Sequence, residues 1–132
     1  MTTPDLSFRP HERIKDPADF RRAFDRKRSV SDGVLIVYGA ENGLGHPRLG
    51  VSVSRKRVRR ATARNRIKRL IREAFRLCKA DLAPGVDLVV LPRAPRAEFA
   101  QVQASLAVLG RDAARRLGVR KREREPKPAP PA

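Results

Sequence analysis

The chain has 132 residues, with 31 Lys and Arg against 14 Asp and Glu, giving a net charge of +17 and a pI near 11.6. That length predicts one small domain, and so strong a positive field selects nucleic acid or an anionic surface as partner. There is no apolar run of membrane-spanning length, no apolar signal-peptide core at the amino end, and one cysteine, too few for an internal disulfide or a cysteine zinc cluster. The expected setting is a reducing cytoplasm, with no membrane attachment.

Residues 1–12 are polar, contain Pro4 and Pro10, and are expected to be loosely ordered, with the domain itself over 13–118. Asp16-Pro17-Ala18-Asp19 predicts a helix start, with Asp at the N-cap, Pro at the first helical position and a second acid in the first turn. That helix continues to about Arg26, and Phe20 and Phe24 are i, i+4 neighbours on one face, by default core residues. Ser31-Asp32-Gly33 reads as a turn into a strand from Val34 to Tyr38, with Val34, Ile36 and Tyr38 on one side and Leu35 and Val37 on the other. The segment from Glu41 to Pro47 has turn chemistry. His46 within it has no second His or Cys nearby in sequence and reads as a loop residue, not a ligand. A second strand runs from Arg48 to Ser54, with apolar Leu49, Val51 and Val53 alternating with Gly50, Ser52 and Ser54. Its small, flat side suits close helix packing or the floor of a groove.

The next stretch, Arg55 to Lys79, holds twelve Lys or Arg and one acid, Glu73. Ile67, Leu70, Ile71, Ala74, Phe75 and Cys78 follow the spacing of one helix face, while Asn65, Lys68, Arg69, Arg72, Arg76 and Lys79 fall opposite. Thr62 is the expected N-cap. A helix amino end carries partial positive charge and ordinarily attracts acids. Here cations converge on it instead, together with free backbone N–H groups, an arrangement suited to phosphates.

Pro84-Gly85 turns the chain into Val86–Leu91, an apolar run typical of a strand buried on both faces. A last helix carries Phe99, Val102, Leu106, Leu109, Ala113 and Leu117 at helical spacing and stops at Gly118. Residues 119–132 read as a solvated, disordered basic and proline-rich tail. The order predicts an α+β fold, a small mixed sheet with helices and a β-α-β unit over residues 48–91. No paired carboxylates, glycine-rich phosphate loop, nucleophile elbow or metal-ligand cluster is legible, so neither a catalytic nor a metal residue is assigned. The inventory is that of RNA binding: cations for phosphates and aromatic faces for bases.

Leu49-Gly50-Val51-Ser52-Val53-Ser54-Arg55-Lys56, Val58-Arg59-Arg60-Ala61 and the run Arg64-Asn65-Arg66-Ile67-Lys68-Arg69-Leu70-Ile71-Arg72-Glu73-Ala74-Phe75-Arg76 resemble the bacterial ribonuclease P protein subunit. The resemblance extends to Asp19–Phe24, Arg28–Ser31 and Asp87–Leu91, and covers roughly residues 13–117. Members often have Gly-Asn where Arg59-Arg60 stand here. The resemblance implies a two-layer α/β sandwich with a left-handed β-α-β crossover, where the pattern alone suggests the usual right-handed one. It also implies a protein cofactor for a catalytic RNA that removes the 5′ leader of precursor tRNA, with Mg²⁺ held mainly by RNA and substrate and no obligate protein partner. The positions it implies for docking on that RNA are Arg55, Lys56, Arg59, Arg60, Arg64, Asn65, Arg66, Lys68, Arg69 and Arg72. A leader cleft is implied at Phe20, Phe24, Ile36, Tyr38 and Ser52, which weakens the core assignment of the two phenylalanines. The alternative is a ribosomal or RNA-assembly protein without a part in catalysis; a protein-based nuclease would need clustered acids or histidines.

Overall fold

In the computed structural model, residues 8–118 are described; the tail assigned to 119–132 and the first seven residues lie outside them. The elements are α1 (Pro17–Arg26), β1 (Ser29–Ser31), β2 (Leu35–Glu41), β3 (Arg48–Val51), α2 (Ala61–Cys78), β4 (Val86–Pro92) and α3 (Phe99–Leu117), with 3₁₀ turns at Pro10–Glu12 and Lys79–Asp81. They form a four-stranded mixed sheet in the order β1-β2-β4-β3. β1 and β4 pair antiparallel with β2, whereas β3 lies parallel to β4, so residues 48–91 are the expected β-α-β unit.

Alternation along the strands divides the sheet into two faces. Leu35 and Val37 of β2, Leu49 of β3, and Leu88 and Val90 of β4 pack with Ile67, Ile71, Ala74 and Phe75 of α2 and with Val102, Leu106 and Leu109 of α3. This is the larger core, and the apolar stripes read on both helices are its walls. Phe75 is fully buried, so its truncation to Ala costs about 3–5 kcal/mol. The other face receives α1 and, just ahead of it, the buried Ile14. Ala23, Ala40 and Val89 are buried there, with Phe20, Phe24, Tyr38 and Leu91 half-buried around them. One ten-residue helix is too short to cover that face, and part of it stays open.

The helix ends show the local chemistry at work. Asp16 Oδ1 accepts the N–H of Ala18 at 2.9 Å, and Pro17 occupies the first helical position, as expected. Gly118 closes α3 with φ of 80°, its N–H donating to the carbonyls of Ala114 and Arg115. A residue with a Cβ would be strained in that conformation. Asp32 Oδ1 accepts from the N–H groups of Val34 and Leu35, and its Oδ2 accepts from Ser105 Oγ at 2.7 Å, tying the β1–β2 turn to α3.

Several expectations are corrected. Thr62 is not the N-cap of α2; Arg60 holds that position in extended conformation and makes no side-chain cap bond. Instead the Arg64 guanidinium donates to the carbonyls of Val58 and Arg59 just ahead of the helix. The segment 8–12 is ordered: Phe8 packs edge-on against Phe75 at 5.5 Å, and Glu12 is buried. Lys79 is not on a solvated face. The helix tightens into a 3₁₀ turn there, and Lys79 Nζ donates to both Glu12 oxygens, at 3.0 and 2.7 Å. The strand starting at Val34 begins at Leu35 and continues to Glu41; the next ends at Val51, although Ser52 still donates its N–H to Val90 O. Pro92 belongs to β4, paired with Leu35 near its end. His46 does have a neighbour: its ring lies edge-on to His11 at 4.9 Å.

Candidate nucleic-acid interface

Residues 55–60 and the first turns of α2 form one basic surface. Arg55, Lys56, Arg59, Arg60, Asn65, Arg66, Arg69 and Arg72 are exposed, and Arg64 and Lys68 are half-buried. The first turn of α2 holds no acid, so nothing neutralises the positive end of the helix. Two of these cations also do structural work. Arg64 closes the entry to the helix, and Arg66 Nη1 and Nη2 donate to the carbonyls of Pro95 and Ala97 at 3.3 and 3.1 Å. The Arg66 bonds anchor the β4–α3 loop to α2. Among the described residues no bond of this kind engages Asn65, Lys68 or Arg69.

The open face of the sheet begins beside this surface. Phe20 lies over β3, its ring atoms 2.8 Å from where a Cβ on Gly50 would stand. One turn later Phe24 meets Tyr38 of β2, ring centroids 4.9 Å apart at 74°. Since β4 separates β2 from β3, α1 crosses the sheet between these two contacts. Past α1, Ile36 and Leu91 are register partners, and Ser52 lies against the same strand on its other edge. Ile36, Ser52, Ser54, Leu91 and Pro92 line a hollow with Arg57 on its rim. Phe20, Phe24, Tyr38, Ile36 and Ser52 thus share one side of the sheet, aromatic under α1 and apolar with a hydroxyl beyond it, and the hollow opens next to the basic loop.

A second concavity, about 250 Å³, lies where the amino-terminal segment meets α1, β3 and α2, with Arg13, Lys15, Phe20 and Arg72 in its lining. Burial and the neighbouring Arg13 charge lower the pKa of the Arg72 guanidinium from its usual value. Arg13 also stacks over the Phe8 ring at 4.7 Å. Sequence reading missed Arg13 and Lys15, which precede the motif and belong to no run of cations.

It also missed the ion cluster at the other end of the groove. Asp87 is fully buried in β4. Its Oδ1 accepts from Asn42 Nδ2 and Arg48 Nε, both at 2.8 Å, and its Oδ2 from Arg48 Nη2 at 2.7 Å and Arg22 Nη2 at 3.0 Å. The bond to Asp87 raises the Arg48 pKa above its usual value, against the effect of burial. Asp19 of α1 lies 3.3 Å from Arg22 and 3.4 Å from Arg48. A lone acid in the run Val86–Leu91 was the available signal, since a buried carboxylate needs cations. The buried Cys78 thiol, pushed up to about 11 chiefly by burial, is unreactive. Among the described residues no three His, Cys, Asp or Glu side chains are grouped to hold a metal ion, and no helix is long and apolar enough to cross a membrane.

A basic helix over a mixed sheet, with an aromatic groove open on the far face, defines an α+β protein of the RNA-binding class. A family model described as Ribonuclease P matches residues 8–114. The chain belongs to the ribonuclease P protein family, whose members act in 5′ processing of tRNA. It is 48% identical to the ribonuclease P protein component of Methylococcus capsulatus over 83 residues, which cover 63% of this chain and 64% of that protein's length. The Proteus mirabilis component is 42% identical over 106 residues, covering 80% of this chain and 87% of its own length. Among solved structures, the Staphylococcus aureus RNase P protein superposes with a TM-score of 0.66 at 39% identity, over 74% of this chain and 91% of that one. The Thermotoga maritima RNase P protein gives 0.69 at 34% identity, over 76% and 96%. These relationships do not favour a ribosomal or RNA-assembly protein.

Proposed function

We propose that this chain is a cytoplasmic protein subunit that docks on the ribonuclease P catalytic RNA through its basic surface and holds the 5′ leader of precursor tRNA in the groove beneath α1. Arg55, Lys56, Arg59, Arg60, Asn65, Lys68, Arg69 and Arg72 would meet RNA phosphates, with Arg64 and Arg66 supporting them from the helix entry and the β4–α3 loop. Phe20, Phe24 and Tyr38 would offer ring faces to unpaired bases, and Ile36 and Ser52 would floor the continuation of the groove. The observation that carries this is adjacency: the unneutralised amino end of α2 and the open sheet face border the same loop, so one RNA assembly can engage both.

Phosphodiester hydrolysis is assigned to the RNA. The two carboxylates beside the groove, Asp19 and Asp87, are engaged by Arg22 and Arg48, so they form no cage for a divalent ion. Mg²⁺ would be held mainly by RNA phosphates and substrate. The protein would assist by offsetting phosphate repulsion and fixing the leader. Reconstitution with an RNA subunit tests this: the protein should lower the Mg²⁺ concentration needed for leader removal and should cleave nothing by itself. Cleavage of precursor tRNA by a preparation freed of all RNA would overturn it.

A further inference from the structure

We infer that the Asp87 cluster is a positioning device: through Arg22 it sets where α1 sits over the sheet, and so how far Phe24 stands from Tyr38. This inference rests on the proposed leader groove for its functional consequence, though not for its geometry. Four elements end at one carboxylate. Asp87 comes from β4, Arg48 from β3, Asn42 from the β2–β3 loop, and Arg22 from α1. Arg48 and Asn42 already hold Asp87 within the sheet layer. Arg22 is the only α1 side chain bonded to Asp87, and it also holds Asp19 one turn back on its own helix.

The apolar contact beneath α1 does not specify its position alone. Its one fully buried residue there is Ala23, a small side chain that permits sliding, while Phe20 and Phe24 are half-buried. Arg22 is half exposed, yet its planar guanidinium reaches a carboxylate that is not exposed at all. Two other pairs tie α1 to the sheet, Arg26 with Glu41 of β2 at 3.0 Å and Asp19 with Arg48 of β3 at 3.4 Å, but both of those carboxylates are partly exposed. Arg22 alone on α1 binds a fully buried acceptor, and that directional bond supplies the register that Ala23 lacks.

The experiment compares Arg22→Ala with Arg21→Ala. Arg21 is the exposed neighbour on α1 and makes no polar contact of this kind among the described residues. Both variants lose one charge, but only the first loses the bond to Asp87. Tyr38 is the sole tyrosine and the chain has no tryptophan, so intrinsic fluorescence and ring-to-ring NMR contacts report directly on the Phe24–Tyr38 pair in the free protein. Arg22→Ala should loosen that pair, Arg21→Ala should leave it unchanged, and Arg22→Lys should restore it in part. In the reconstituted holoenzyme, Arg22→Ala should weaken binding of precursor tRNA relative to mature tRNA by roughly two- to thirty-fold. The salt slope should not differ from that of Arg21→Ala. A Phe24–Tyr38 pair unaltered by Arg22→Ala would overturn the inference. So would an unaltered pair with a slope shallower by about 0.7, which would make Arg22 a phosphate ligand. If the pair loosens while both tRNA forms bind as before, the positioning role stands and the leader groove falls.

Discussion

Phe20 lies on Gly50 so closely that the ring atoms occupy the space a Cβ would need, 2.8 Å away. The contact explains the flat side of β3: a glycine there lets an aromatic ring rest on the backbone of the strand. Replacing Gly50 by Ala would push the ring tip outward and crowd Ile14, whose Cβ stands 3.2 Å from the same point. Gly50→Ala should destabilise the fold by about 1–3 kcal/mol and weaken binding of leader-bearing tRNA, with mature tRNA little changed. Thermal melts and parallel binding measurements check it; equal affinity for both tRNA forms before and after substitution would detach Phe20 from the leader.

Phe20 itself is half-buried, in contrast to Phe75 on the other face. Truncating Phe20 to Ala should therefore cost well under the roughly 3–5 kcal/mol of a core phenylalanine. The loss should appear in precursor tRNA affinity, at about 1–3 kcal/mol for one stacked base. A melting temperature that drops as far as that of Phe75→Ala would return Phe20 to the core.

The basic face offers a cleaner test through residues that carry no structural bonds. Lys68→Ala with Arg69→Ala should leave the melting temperature within the scatter of surface substitutions. Affinity for the RNA subunit should fall, and the slope of log affinity against log salt should become shallower by about 1.4–1.8. Arg64→Ala and Arg66→Ala should lower stability as well, because their guanidiniums hold the carbonyls of Val58, Arg59, Pro95 and Ala97. An unchanged slope in the Lys68/Arg69 pair would place the RNA elsewhere.

Acid should destabilise the protein through two carboxyls in particular. Burial would raise the Glu12 pKa, but the Lys79 bond and the Arg9 N–H hold it below its usual 4.5. Burial acts the same way on Asp32, where bonds from Leu35, Ser105 and Val34 hold it below 3.8. Groups depressed in the folded state stabilise it above their unfolded pKa, and that contribution disappears as pH falls through the folded value. Urea melts should show stability level above about pH 5 and falling below it. Lys79→Met leaves Glu12 buried without its cation and should cost about 3–5 kcal/mol near neutral pH. The variant should then lose less on acidification than the parent, because protonation relieves it. An equally steep acid limb in both proteins would show that the Glu12–Lys79 pair does not drive it.

Much of this fold is local chemistry and could be read directly. Asp16 and Pro17 start α1 and Gly118 ends α3 because caps act within a few residues of the backbone they satisfy. The apolar stripe of α2 and the run in β4 announce burial because periodicity is a property of the segment itself. The cation bias at the amino end of α2 was legible for the same reason, as was the motif that resembles ribonuclease P proteins. What tertiary structure alone decided involves partners far apart in the chain. Glu12 and Lys79 are 67 residues apart, and Arg22 and Asp87 are 65 apart. No short-range pattern distinguishes a lysine that will be buried from the solvated ones beside it, so helical spacing alone puts Lys79 on the polar side. The N-cap of α2 at Arg60, not Thr62, likewise goes with carbonyls captured by Arg64 and a helix held at Pro95 and Ala97 by Arg66. The groove is the clearest case: the resemblance names its residues, but its walls come from α1, β2, β3 and β4, and only packing decides that a helix too short to cover the sheet leaves Ile36 and Ser52 half open.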